Sequence, residues 1–226
     1  MDWSLDGKKY GKNDMAPIGC DDCKGCSSCC HEMGDTVILD PYDLWLFASN
    51  MRLEGGAKVT FEILVSEDGP WELSVHDGLI MPNIKMVDDG RCPFLLQNGR
   101  CGIHKIRSGL CRLFPLGRGF EEDGSITYYV LNSEIGCEKL KGAGSNVAIR
   151  DWLEIENLDA YERYQSQWHA LKKKMSEHLR HADENECREL NAQFLDAFYY
   201  RGYGQDFYSE IDERMSIFDR VLKRYE

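Results

Sequence analysis

Residues 20–30 read Cys20-Asp-Asp-Cys23-Lys-Gly-Cys26-Ser-Ser-Cys29-Cys30, five thiols within eleven positions. A free cysteine ordinarily behaves as a small buried hydrophobe and occurs singly. Core packing has no use for a thiol at every third position followed by a doubled one. Soft thiolates at this spacing are what zinc or an iron–sulfur cluster takes. The stretch predicts a loop organised by metal, with Gly25 and Gly34 permitting tight turns.

The remaining thiols extend this reading. Of the ten cysteines, Cys92, Cys101, Cys111 and Cys137 follow in the next part of the chain, and Cys187 stands alone late. A disulfide framework is the competing account. The opening Met-Asp-Trp-Ser-Leu-Asp lacks the basic and apolar regions of a secretory leader, so a reducing cytoplasm is expected. A chain of 226 residues is also large enough to stand without disulfide staples. A dithiol catalyst would explain one C-x2-C but not nine cysteines gathered in one region.

Metal identity is less sharply drawn. C-x2-C-x2-C wraps three thiolates around one corner of a cluster, as in bacterial ferredoxins. Structural zinc prefers two C-x2-C pairs, and the gaps between Cys92, Cys101, Cys111 and Cys137 are long and unequal. The spacing favours an iron–sulfur centre (4Fe-4S, two where the thiols suffice), with zinc as the alternative.

Cys23, Cys26, Cys29, Cys30, Cys92, Cys101, Cys111 and Cys137 supply two sets of four. Adjacent side chains in extended backbone point opposite ways, so Cys29 and Cys30 are expected at different centres. A type I′ turn at Asn98-Gly99 would pair Gln97 with Arg100 and set Cys101 opposite Leu96. Cys92 would then lie about 13 Å further along its strand, also at a different centre.

The formal charge of −12 argues against a nucleic-acid surface, which needs clustered Lys and Arg. No apolar stretch approaches a membrane span. A local basic set does accompany the cysteines: Arg91, Arg100, Lys105, Arg107, Arg112 and Arg118. These residues either offset the negative charge of a metal–thiolate centre or form an anion site beside it. Arg107 and Arg112 are the candidates for contact with the cofactor. His31 and His104 stand beside cysteines and read first as hydrogen-bonded histidines.

Along the chain, Thr36–Leu39 is a short strand candidate. Asp40-Pro41 opens a helix through Leu44, Phe47, Ala48 and Met51, expected to end at Gly55-Gly56. Trp71–Val75, part of Leu79–Val87, and Ile126–Leu131 read as strands, the last after a turn at Glu122–Ser125. Beyond residue 146 the pattern becomes helical. Leu158, Tyr161, Gln165, Trp168, Lys172, Met175 and Leu179 form one stripe, and Cys187, Leu190, Phe194 and Phe198 another. Phe207 or Tyr208, Ile211, Met215, Phe218, Leu222 and Tyr225 continue in threes and fours. The expected class is α+β: a small irregular, metal-stabilised, cysteine-rich core with short antiparallel strands, then C-terminal amphipathic helices. The expected division is 1–145 for the metal-binding domain and 146–226 for a helical extension. Cys187 lies on an apolar helical face and reads as structural.

Taken in order, Cys23-x2-Cys26-x2-Cys29-Cys30, Cys92-Pro93-Phe94-Leu95, Cys101-Gly-Ile103 and Arg107-x3-Cys111-Arg112-x-Phe114-Pro115 resemble the YkgJ-type cysteine-cluster family, described as zinc- or iron-chelating. The resemblance covers about residues 20–140. It departs at Ser108, where the family usually has Pro, and at His104, where it usually has Tyr. Cys20 extends the motif as a spare ligand or none. The resemblance implies metal binding and leaves the role open among electron transfer, binding and cluster handling. A related cluster in flagellin lysine methylases implies the alternative of an S-adenosylmethionine-dependent protein (lysine) methyltransferase. A zinc-stabilised interaction module is the remaining alternative. A protein partner is left open, and neither nucleic acid nor membrane is expected.

Overall fold

Asp40 and Pro41 open α1 (Pro41–Asn50) as their chemistry dictates. The Asp40 carboxylate accepts the Asp43 N–H, the Asp43 carboxylate accepts the Asp40 N–H, and Pro41 occupies the first turn. The helix stops at Asn50, short of the expected Gly55-Gly56, because Met51 turns extended while its N–H still bonds the Phe47 carbonyl. This computed structural model describes residues 6–19, 27–53, 55–56, 58–131 and 145–225.

The chain forms two compact units, neither continuous in sequence: residues 1–33 with 86–166, and residues 34–85 with 167–226. The sequence reading drew one boundary, at 145/146. In the described residues the architecture mixes helices with three two-stranded antiparallel sheets and no closed sheet. No described helix is long and apolar enough to cross a membrane.

In the first unit, β1 (Met15–Gly19) pairs with β6 (Ser145–Ala148), and β4 (Leu116–Phe120) with β5 (Ile126–Val130). The expected Glu122–Ser125 turn joins β4 to β5, with Gly124 at φ 82°. Short helices α3 (Gly109–Leu113) and α4 (Ile149–Leu153) follow the thiol-bearing loops and β6. Ala16, Ile18, Leu116, Tyr128, Val130, Ile149 and Tyr161 are the apolar core. Tyr128 donates to Glu162 at 2.8 Å, and Lys12 pairs with the same carboxylate at 2.8 Å.

In the second unit, β2 (Trp71–His76) and β3 (Leu79–Ile84) form a hairpin. Its turn residues Asp77 (φ 50°) and Gly78 (φ 86°) both take the left-handed conformation that a tight two-residue hairpin needs. Thr36–Leu39 meets β3 only through a bridge and two backbone bonds, Leu39 N to Pro82 O and Ile84 N to Val37 O. A short α2 (Phe61–Leu64) contributes Phe61 to the core.

Helices α5 (Leu158–Leu179), α6 (Glu184–Leu195) and α7 (Phe207–Leu222) follow the predicted stripes, with a π-helical turn at Asp196–Tyr200 after α6. Residues 158–166 of α5 count with the first unit and the rest with the second. Leu171, not Lys172, takes the buried place on its stripe. Trp168 stacks on Phe194 at 5.3 Å, and Phe198 and Phe218 close an aromatic cluster around them. Buried Asn191 ties α6 to the hairpin by accepting Ile80 N–H and donating to Gly78 O.

Candidate metal centre

The thiols are placed by turns and loop pairing. Residues Ser28–Cys30 form a 3₁₀ turn, closed by the Cys30 N–H on the Ser27 carbonyl. Consecutive side chains in such a turn are about 120° apart, not opposed as in a strand. The opposed side chains of a strand, on which the expectation of different centres for Cys29 and Cys30 rests, are therefore not the local geometry here.

Cys30 is then brought beside Cys92. The Cys92 N–H bonds to the Cys30 carbonyl at 2.8 Å, and the Glu32 N–H to the Gly90 carbonyl at 2.8 Å, with His31 opposite Arg91. Gly90 has φ 76°, a conformation that glycine takes at least cost.

Cys92 and Cys101 sit on two further turns. The Leu95 N–H closes on the Cys92 carbonyl, and the backbone N–H groups of Phe94 and Leu95 point at the Cys92 sulfur. The Ile103 N–H does the same for Cys101. The hairpin between them is irregular. Leu96 N bonds to Arg100 O, and Gly99 (φ 75°) closes a three-residue loop, while Asn98 keeps a negative φ. Cys101 therefore faces Leu95 and not Leu96. With the chain folded back at Cys92–Leu95, Cys92 and Cys101 come within electrostatic reach of each other, and of Cys29. This corrects the expected separation of about 13 Å, which assumed a straight strand.

The electrostatics of the four thiols are unequal. Cys29 is held down to about 7, first by the hydrogen bond from Cys30, then by a backbone N–H and the Arg107 guanidinium, against the opposing effect of burial. The same bond raises Cys30, reinforced by burial and by Cys92 and Cys101. Burial raises Cys92 and Cys101 against their turn N–H groups. A metal cation supplies the positive charge that allows buried thiols to ionise together.

No residue from 86 to 107 is fully buried, although this stretch keeps the hydrogen-bonded turns just described. Phe94, Leu95, Ile103 and Ile106 are only half-buried. Among the described residues, no three His, Cys, Asp or Glu side chains close into a metal-binding group. The four thiols feel one another without meeting that tighter geometry. Cys20, Cys23, Cys26 and Cys137 lie outside the described residues. The six described cysteines are free thiols. A sulfur-only donor set with N–H groups aimed at sulfur fits zinc or iron and not a hard cation.

Cys111 is half-buried on α3. Its N–H is accepted by Ser108 Oγ at 3.3 Å, so the serine found where proline was expected serves as the N-cap of this short helix. Cys187 belongs to the second unit, its thiol 3.6 Å from the Leu179 carbonyl.

The two arginines differ. Arg112 is buried and directs its guanidinium at backbone carbonyls: Arg107 at 3.1 Å, Leu153 at 3.4 Å, Glu154 at 3.3 Å, and Lys105. Arg107 acts through its charge on the Cys29 and Cys101 thiols. Its Nη1 donates to His104 Nε2 at 3.0 Å, and its Nη2 lies 3.7 Å from the Glu154 carboxylate. A guanidinium can only donate, so His104 Nε2 is an acceptor and the neutral ring carries its proton on Nδ1. Glu154 was not found from sequence: it lies forty-seven residues from Arg107 in no motif, and only its left-handed backbone (φ 52°) marks it structurally.

Residues 22–130 match the family model CxxCxxCC, described as "Putative zinc- or iron-chelating domain". Over these residues the chain is similar to the CxxCxxCC family. Searches of curated proteins and of solved structures gave no match. The CxxCxxCC domain spans the doubled cysteine, both sulfur-binding turns, Arg107 and Cys111, and ends at the last residue of β5. The chain is accordingly a metal-binding protein.

Proposed function

We propose that the chain is a cytoplasmic iron–sulfur protein whose first centre is built on Cys29, Cys30, Cys92 and Cys101. Cys23, Cys26, Cys111 and Cys137 are then the donors for a second centre, with Cys20 in reserve. When bound, such a centre supplies thiolate-held iron for electron transfer or cluster handling. The chain's own contribution is to gather the sulfurs, offer them backbone N–H groups and set a cation beside them. The observation that carries this reading is the folded stretch 86–107, which has defined turns around its thiols and no buried residue. An element with no fully buried residue needs another source of order, and metal binding is the source for small cysteine-rich folds.

A zinc reading is favoured by one specific feature, the two turns at Cys92–Leu95 and Cys101–Ile103, each aiming N–H groups at its sulfur. Such turns serve a tetrahedral zinc equally well. Protein purified without oxygen separates the readings. Brown colour with iron and acid-labile sulfide supports the iron–sulfur centre, and about eight iron per chain supports two clusters. Colourless protein holding zinc replaces it with the zinc module. Protein carrying neither metal refutes both. The methyltransferase alternative has no support among the described features, and S-adenosylmethionine binding by calorimetry would revive it.

A further inference from the structure

We infer that Arg107 is the counter-charge of the metal–thiolate centre. The inference rests on the metal-binding reading above. Three of the arginine's features lead to it. The side chain is only 11 % exposed, so its charge needs a partner inside the protein. Its two outer nitrogens are engaged by His104 and, more loosely, by Glu154. Its Nε is buried and meets no acceptor among the described residues. A buried N–H without an acceptor is rare and costly. The charge of Arg107 also acts on the Cys29 and Cys101 thiols, favouring the thiolate at both.

Arg91 also has a buried Nε without a hydrogen-bond acceptor, but its side chain is 42 % exposed with Asp89 at 3.6 Å, and Arg112 is turned onto carbonyls. Glu154 is the competitor. It takes part of Arg107's charge while standing 55 % exposed. Four thiolates around a divalent metal carry a net charge of about −2, which a buried cation stabilises. The sulfurs should then hold metal more tightly the more of Arg107's charge they receive.

Two substitutions of opposite expected sign test this in metal-loaded, full-length protein prepared without oxygen. Metal release to a chromogenic chelator is timed, using pyridylazoresorcinol for zinc or bathophenanthroline for iron. Arg107→Gln should release metal about tenfold faster or more, the usual scale for losing a group that supports a metal ligand. Arg107→Lys should fall between that variant and wild type, since Lys keeps the charge but not the planar fork. Glu154→Gln should release metal more slowly than wild type, an outcome that damage to the fold would not give. Wild-type release by Arg107→Gln, or unchanged or faster release by Glu154→Gln, overturns the inference. If Arg107→Gln does not load metal at all, the sign of the Glu154→Gln effect decides. Metal content of the wild type, measured before chelator is added, separates failure of this inference from failure of the metal reading itself.

Discussion

Removing the metal should unfold one part of the molecule and leave another standing. The stretch 86–107 contains no buried residue, whereas the second unit is held by Phe47, Trp71, Trp168, Phe194, Phe198 and Phe218, all at 2 % exposure or less. Burial of one such aromatic side chain is worth about 1.5–3 kcal/mol. The thiol-bearing turns have in their place backbone bonds such as Cys92 N to Cys30 O, Glu32 N to Gly90 O, Leu96 N to Arg100 O and Gly102 N to Phe94 O. Each exposed bond contributes about 1 kcal/mol net. Ordering a residue costs about 1–2 kcal/mol in backbone entropy, so these bonds alone do not hold the turns closed. Thiolate metal sites contribute about 10 kcal/mol or more to the folds they organise. Chelation should therefore lower protection of the Glu32, Cys92, Leu96 and Gly102 amides at least 1,000-fold, equivalent to about 4 kcal/mol. Hydrogen–deuterium exchange with peptide-level mass spectrometry reads this directly. The Leu39, Ile80 and Ile84 amides, bonded within the second unit, serve as internal controls. Equal protection of Cys92 and Gly102 in metal-free and metal-loaded protein would refute the reasoning, because some other source of order would then be holding the turns.

Other outcomes follow from single contacts. Phe194→Ala removes the ring between Trp168 and Phe218 and should cost about 3–5 kcal/mol in urea unfolding; a loss below about 1 kcal/mol argues against that packing. Cys187→Ala should leave metal stoichiometry unchanged and cost about 1 kcal/mol, and loss of a metal equivalent would make Cys187 a ligand.

Much of the fold was legible where a local rule is strong. Asp40-Pro41 named the start of α1, and the apolar stripes named α5, α6 and α7. What failed did so where a short-range rule met a site-specific turn. Asn98-Gly99 suggested a two-residue turn, but the chain used a three-residue loop with only Gly99 left-handed. That change of one residue moved Cys101 from opposite Leu96 to opposite Leu95. The doubled Cys29-Cys30 was read with strand geometry and folded as a 3₁₀ turn. Both errors had one source: an extended backbone was assumed between thiols, where the sulfurs themselves favour tight turns that direct N–H groups at them.

The arginines show which part of a site sequence leaves open. Arg107 and Arg112 are five residues apart in one motif and carry the same charge, so composition and spacing treat them alike. Their separation comes from α3. Ser108 caps that helix and ends the preceding loop, leaving Arg107 before the cap and Arg112 on the fourth helical residue. From there Arg112 reaches back to the carbonyls of residues 105 and 107 and across to those ending α4. It fixes the loop on which Arg107 stands, while Arg107 turns its fork to His104 and Glu154. Substituting Arg112 would thus disturb the placement of Arg107, whereas substituting Arg107 leaves Arg112's carbonyl contacts intact. The two effects are separable only because one guanidinium bonds to backbone and the other stands beside thiols.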